Sequence, residues 1–169
     1  KTTLWYVLAD KRIVVPVIQR DYAQGRENQF ATNVRERFVE RLYEAVQRGE
    51  ENPLCMDFVY FEKEGNKLVP VDGQQRLTTL WLFHVYHLDQ ENEEITKRLK
   101  RFSYEVRQTS KAFCKQLVEQ RFEWFEALCK CEREECVCEK VICNQAWFFT
   151  AWRRDPTIMG MIRMLDTIH

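Results

Sequence analysis

The chain has no apolar run approaching the roughly twenty residues that a bilayer span requires, so a membrane-spanning segment is not expected and the chain reads as soluble and cytoplasmic. It also lacks an excess of charge of one sign. Lys plus Arg number 26 and Asp plus Glu number 26, a formal net charge of zero. No global basic field therefore draws it to nucleic acid, and any such contact is left to a local patch or to another domain. Histidines number 3, with no His-Asn-His arrangement, so cleavage of DNA by this chain alone is not expected. The 7 cysteines are an odd count, which disfavours a complete disulfide framework. No internal repeat and no long linker divides the 169 residues, and that length fits one domain over 1–169. With lysine at position 1, the sequence is expected to be a piece of a longer protein, so a missing signal peptide carries little weight.

What is present alternates between strand-like and helical patterns. Phe30, Val34, Phe38, Leu42 and Val46 recur at four-residue spacing and Gly49 closes the pattern, predicting a helix with those residues toward the core and Arg35, Glu36, Glu40 and Arg41 outward. Met56 to Phe61 and Lys67 to Val71 flank Glu64-Gly65-Asn66 and read as a hairpin. Leu77, Leu80, Trp81, Val85 and Leu88 predict a helix from about Gln74. A charged helix is expected over Glu93 to Lys100 and a short strand over Phe102 to Val106. The part from about 110 to 169 reads as helical. Asp155 and Pro156 begin its last helix, with Ile158, Met161, Ile162, Leu165 and Ile168 on one face. The fold class is α/β in the α+β sense, a small mixed sheet with packed helices and a helical C-terminal part.

The most informative segment is Leu68 to Leu80, an apolar run, the turn Asp72-Gly73, then Gln74-Gln75-Arg76 entering a helix. Backbone N–H groups at a helix start are unpaired and carry the positive end of the macrodipole, which suits an anion. Arg76 stands in that first turn, where a basic side chain is locally unfavourable unless something negative meets it. A strand, turn and helix occur in many domains, and turn geometry alone accounts for a Gly after Asp. A second cluster strengthens the phosphate reading: Val14 to Ile18 ends in Gln19-Arg20-Asp21-Tyr22, again a Gln-Arg pair after an apolar run. A guanidinium offers a planar fork of donors that matches phosphate oxygens. The competing reading of both arginines is surface ion pairing.

The pairing of Pro16-Val17-Ile18-Gln19-Arg20-Asp21-Tyr22 with Asp72-Gly73-Gln74-Gln75-Arg76-Leu77-Thr78-Thr79-Leu80 resembles the N-terminal domain family of GmrSD-type, modification-dependent restriction endonucleases. Phe102 to Arg107, Trp147-Phe148, Trp152 and Asp155 to Asp166 are similar to the family's later stretches, so the resemblance touches nearly the whole length. It implies a fold like that of ParB and sulfiredoxin, and an association with nucleoside triphosphate binding and hydrolysis in bacterial phage-defence systems acting on modified DNA. Carried over by position, Asp72, Gly73, Gln74, Gln75 and Arg76 form the main motif and Gln19, Arg20 and Tyr22 the first. The chain departs from the pattern at Ile18 and Gln24, where many members have aromatic residues. Sulfiredoxin chemistry needs a thiolate after the turn glycine, and Gln74 stands there instead, so a redox activity is not expected.

The remaining chemistry-bearing residues have plainer readings. Cys129, Cys131, Cys136, Cys138 and Cys143 fall within a charged stretch and could bind zinc, but the spacing is not a Cys-x-x-Cys pair, and a cysteine-rich loop of reduced thiols is the favoured account. Cys55 and Cys114 read as small core residues. His84 and His87, three apart on one helix, read as histidines packed among aromatics rather than as metal ligands. Phe122, Trp124, Phe125, Trp147, Phe148, Phe149 and Trp152 read as core.

The resulting expectation is a regulatory domain in which Gly73, Arg76, Arg20, Gln19 and Tyr22 hold a nucleoside triphosphate. Asp72 would hold Mg2+, and Gln74 or Gln75 would orient the attacking water. The nuclease effector would lie in a C-terminal part or a separate chain, with modified DNA as a further partner and a homodimer left open. The alternative is a nucleotide- or DNA-binding switch that turns nothing over.

Overall fold

A computed structural model of the chain describes residues 2–49, 53–131 and 137–169. Helix α1 (Leu4–Asp10) leads into strand β1 (Arg12–Val15), and a loop follows before the long helix α2 (Gln29–Arg48). The hairpin β2 (Tyr60–Glu64) and β3 (Lys67–Asp72) precedes α3 (Gln74–His87) and α4 (Glu93–Leu99). Strand β4 (Phe102–Tyr104) completes the sheet. Then come α5 (Gln108–Glu119), α6 (Arg121–Lys130), α7 (Cys138–Cys143), a 3-10 turn (Thr150–Arg154) and α8 (Pro156–Ile168). The class is mixed α/β, as the alternating patterns predict.

The sheet runs in the order β2-β3-β1-β4. Strand β1 pairs in parallel with both β3 and β4, and β2 pairs antiparallel with β3. The hairpin starts later than Met56 and runs on to Glu64, which faces Lys67 across a turn held by Gly65 at φ +60°. Because β1, β3 and β4 point the same way, the segments leaving Val15, Asp72 and Tyr104 gather at one edge of the sheet. That edge is where α/β proteins commonly receive ligands.

Helix ends follow local chemistry. The Asn28 side chain caps α2 by accepting from the Ala31 N–H at 2.8 Å, and Gly49 ends it at φ +70°. Asp155 caps α8 by accepting from the Thr157 N–H at 2.9 Å, with Pro156 at the first helical position. Helix α8 is buried over most of its circumference and packs against α2, α3, α5 and α7, so it is the central helix rather than a one-sided cover. Trp81, Trp124, Phe113 and Tyr104 join it in one continuous apolar core.

Three expectations are corrected here. Helix α2 buries Ala31, Arg35, Val39 and Leu42, whereas Phe30 is 79% and Val46 65% exposed. The stripe is turned because Arg35 finds acceptors inside: its Nε donates to Thr167 Oγ1 at 2.8 Å and its Nη1 to the carbonyls of Gln24 and Arg26. Cys55 is exposed rather than a core residue, while Cys114 is buried. Of the aromatic set, Trp124, Phe148 and Trp152 are buried, but Phe122 and Phe149 face solvent. Among the described residues no helix is long and apolar enough to cross a membrane.

Candidate anion site at the start of the third helix

Strand β3 ends at Asp72, and Gly73 takes φ +85° to turn the chain into α3. An L side chain is disfavoured there. Space reinforces this, since a Cβ on Gly73 would stand 2.9 Å from Val59 Cγ2 and 3.3 Å from Arg76 Nη2. No side chain caps the helix that follows. Its first-turn N–H groups are thus left to solvent or to an anion.

Arg76 sits directly over this start. Its Nη2 donates to the Phe58 carbonyl at 3.0 Å and lies 3.7 Å from Asp72 Oδ2, while its Nη1 lies 3.5 Å from Asp57 Oδ2. Nη1 is nevertheless buried without a hydrogen bond. Both carboxylates are solvent-facing, Asp57 at 97% and Asp72 at 66% exposure. Ion pairs of that kind contribute about 0–1 kcal/mol.

Gln74 is buried at the first helical position. Gln75 points to the loop between β1 and α2: its Oε1 accepts from the N–H of Ala23 at 2.7 Å and of Gln24 at 3.3 Å, and its Nε2 donates to the Asp21 carbonyl at 3.1 Å. Thr79, one turn on, donates to Gln24 Oε1 at 2.5 Å and is 2.6 Å from the Tyr22 hydroxyl. Tyr22 is fully buried, and burial holds its phenol protonated by pushing its pKa well up. Tyr22 thus anchors the loop from inside.

Gln19 lies at the same sheet edge, its Nε2 donating to the Pro70 carbonyl on β3 at 3.3 Å. The Arg20 side chain is exposed, and its carbonyl accepts from the Tyr104 hydroxyl on β4 at 2.6 Å. The topology therefore brings Gln19, Arg20 and Tyr22 to the same edge as Asp72 to Arg76. The backbone of Arg20 is tied to β4 and the Arg76 guanidinium to the segment before β2, so β3 and β1 lie between these anchor points.

Sequence reasoning passed over Arg107, which follows β4. It makes a two-point ion pair with Asp21 and reaches Asp155 Oδ1 at 3.5 Å. The hydrogen bond from Arg107, with its charge, holds the Asp21 carboxyl below the usual carboxylate range. Asp21 Oδ1 also accepts from Thr157 Oγ1 at 3.2 Å, and Thr157 Oγ1 accepts from the Tyr22 N–H at 3.4 Å. The available signal was the Phe102 to Arg107 string, whose arginine follows a strand as Arg20 does.

Other candidates lie apart. Cys129 is exposed, Cys131 half-buried and Cys138 buried, while Cys136 falls outside the described residues. Among the described residues no group of three or more His, Cys, Asp or Glu is placed to hold a metal. His84 packs its ring on Trp5 at 5.8 Å and is 2.6 Å from the Leu80 carbonyl through Nδ1; His87 Nε2 meets the Tyr43 hydroxyl at 3.0 Å. A cleft of about 350 Å³ lined by Trp5, Arg98 and Arg101 and one of about 360 Å³ lined by Glu139, Arg153 and Asp166 are also remote from the Asp72 turn in sequence and lining.

Comparison with known proteins brings one match. The family described as the GmrSD restriction endonuclease, N-terminal domain, matches residues 4–166. No curated protein and no solved structure matches the chain.

Proposed function

Since the chain belongs to the GmrSD restriction endonuclease N-terminal domain family, we propose that it is the nucleoside triphosphate-binding and hydrolysing regulatory domain of a modification-dependent restriction system. One observation carries this reading: the uncapped start of α3, entered through a left-handed glycine, lies beneath an arginine whose buried Nη1 makes no hydrogen bond. A phosphate oxygen would supply that acceptor. Displacing Asp57 and Asp72 from Arg76 costs little, because exposed pairs are weak, and a charge-assisted phosphate contact is stronger.

In this reading the first-turn amides and Arg76 hold the phosphates, and Arg20 approaches from the opposite side with Gln19. Asp72 is exposed enough to turn toward a cation and is the residue that would hold a magnesium ion, which would offset phosphate charge. Water would attack the terminal phosphorus as the bond to the bridging oxygen breaks, the diphosphate leaving. Gln75 uses its amide to fix the 21–24 loop, so orienting that water falls to Gln74. Rate would come from positioning and from charge stabilisation in the transition state. The effector is a nuclease, in a C-terminal part or a separate chain, with modified DNA as the signal; a homodimer is compatible with this arrangement.

Phosphate release by the purified chain, with each nucleoside triphosphate and magnesium, is the test. Release that is lost in Arg76→Ala and in Asp72→Ala supports the proposal. Nucleotide binding without release, unchanged in Asp72→Ala, would leave the non-hydrolysing switch as the function.

A further inference from the structure

Two large aromatic side chains stand in solvent beside the anion site, Phe58 at 82% and Tyr60 at 62% exposure. Their backbone is built into that site. The Phe58 carbonyl accepts from Arg76 Nη2, Val59 between them packs toward Gly73, and Tyr60 pairs across the sheet with Asp72. Single exposed apolar residues need no explanation, but two rings whose backbone is anchored to one cationic helix start have a definite complement. That complement carries negative charge at one end and a flat apolar ring at the other.

We infer that Phe58 and Tyr60 form the shelf on which the base of the bound nucleotide stacks, and that they set base preference. The inference rests on the function proposed above and assigns the part of the ligand that the phosphate contacts leave unread. Strand β2 is at the edge of the sheet, so the rings are not covered by a further strand on that side. Stacking on an aromatic face is worth a factor of about ten to a hundred in affinity per base and tolerates every base to some degree. The chain's formal net charge of zero gives no extended basic field for a long polyanion, which favours a single nucleotide over a DNA strand.

The test compares inorganic tripolyphosphate with the four nucleoside triphosphates, by calorimetry on the 169-residue chain, in wild type, Phe58→Ala, Tyr60→Ala and Tyr60→Phe. The inference expects each alanine variant to lose nucleotide affinity about tenfold while tripolyphosphate affinity stays within about twofold, with Tyr60→Phe behaving as wild type. Equal loss of both ligands, or loss of neither, overturns the shelf and leaves the phosphate site standing. Wild type binding neither tripolyphosphate nor any nucleotide overturns the phosphate site and the shelf with it. Tight binding of single-stranded DNA that is lost in Phe58→Ala, with nucleotide affinity unchanged, assigns the rings to a strand instead and also overturns the inference.

Discussion

Gln75 and Ala23 are joined by a 2.7 Å hydrogen bond from a backbone N–H to a side-chain oxygen, across 52 positions of sequence. The same amide accepts from the Gln24 N–H and donates to the Asp21 carbonyl, so one side chain fixes three backbone groups of the loop after β1. A residue in the first turn of α3 therefore also sets the position of the segment that carries Arg20.

Replacing Gln75 with Ala leaves those groups to water or without partners. Neutral hydrogen bonds contribute about 0.5–1.5 kcal/mol each and part of the loss is recovered by hydration, so Gln75→Ala is expected to destabilise the fold by about 1–3 kcal/mol. Thermal unfolding followed by circular dichroism should show a midpoint several degrees lower. Affinity for tripolyphosphate should fall less than in Arg76→Ala, because Gln75 acts through the loop. An unchanged midpoint would show that the clamp contributes nothing.

Gly25 is buried against Gly160 of α8, and a Cβ built on it would lie 2.1 Å from Gly160 Cα, a backbone atom that cannot turn aside. The Gly25 carbonyl also accepts from Arg163 Nη1 at 3.1 Å. Gly25→Ala must push the loop off α8 and is expected to cost at least the upper end of the about 1–3 kcal/mol typical of overpacking. Gly49→Ala is a matched control: it has φ +70° but nothing within 4 Å, so it tests the backbone cost alone. Equal midpoints for the two variants would refute the close approach.

The elements that sequence made legible are those fixed by neighbours in the chain. Asp72-Gly73 turns β3 into α3, and Asp155-Pro156 starts α8, through contacts spanning a few residues. The rotation of α2 was not legible, because its cause is acceptors for Arg35 that come from the 24–26 loop and from Thr167. Periodicity weighs a guanidinium as outward and cannot foresee carbonyls gathered to meet it. The role of Gln75 was hidden for the same reason, its partners being far along the chain. Composition did place Arg20 and Arg76 after apolar strands, and the parallel pairing of β1 with β3 carries both to one edge.

Asp21 titrates below its usual value because Arg107 donates to it. A depressed folded-state pKa means that the unfolded chain takes up the proton first, so the contribution is present above the ordinary value of 3.8 and is lost as pH falls through the lower folded value. Arg107→Gln should therefore lower the unfolding midpoint at neutral pH. The gap between variant and wild type should narrow below pH 3.8. Both partners are partly exposed, so added salt should also narrow it. A gap independent of pH and salt would assign Arg107 a packing role only.

His84 gives a pH response of the same sign in a different range. Burial lowers its pKa from 6.5, and His87 is lowered too, by burial and by the neighbouring His84. The unfolded chain then gains protons near pH 6.5 before the folded chain does, so stability is full above that pH and declines as pH falls toward the lower folded value. The ring stacks on Trp5 with an interplanar angle of 9°, a contact that phenylalanine can keep without titrating. His84→Phe is expected to flatten the fall in unfolding midpoint below pH 6.5, leaving the slope due to His87. Parallel midpoint curves for variant and wild type would mean that His84 is not the group that takes up the proton.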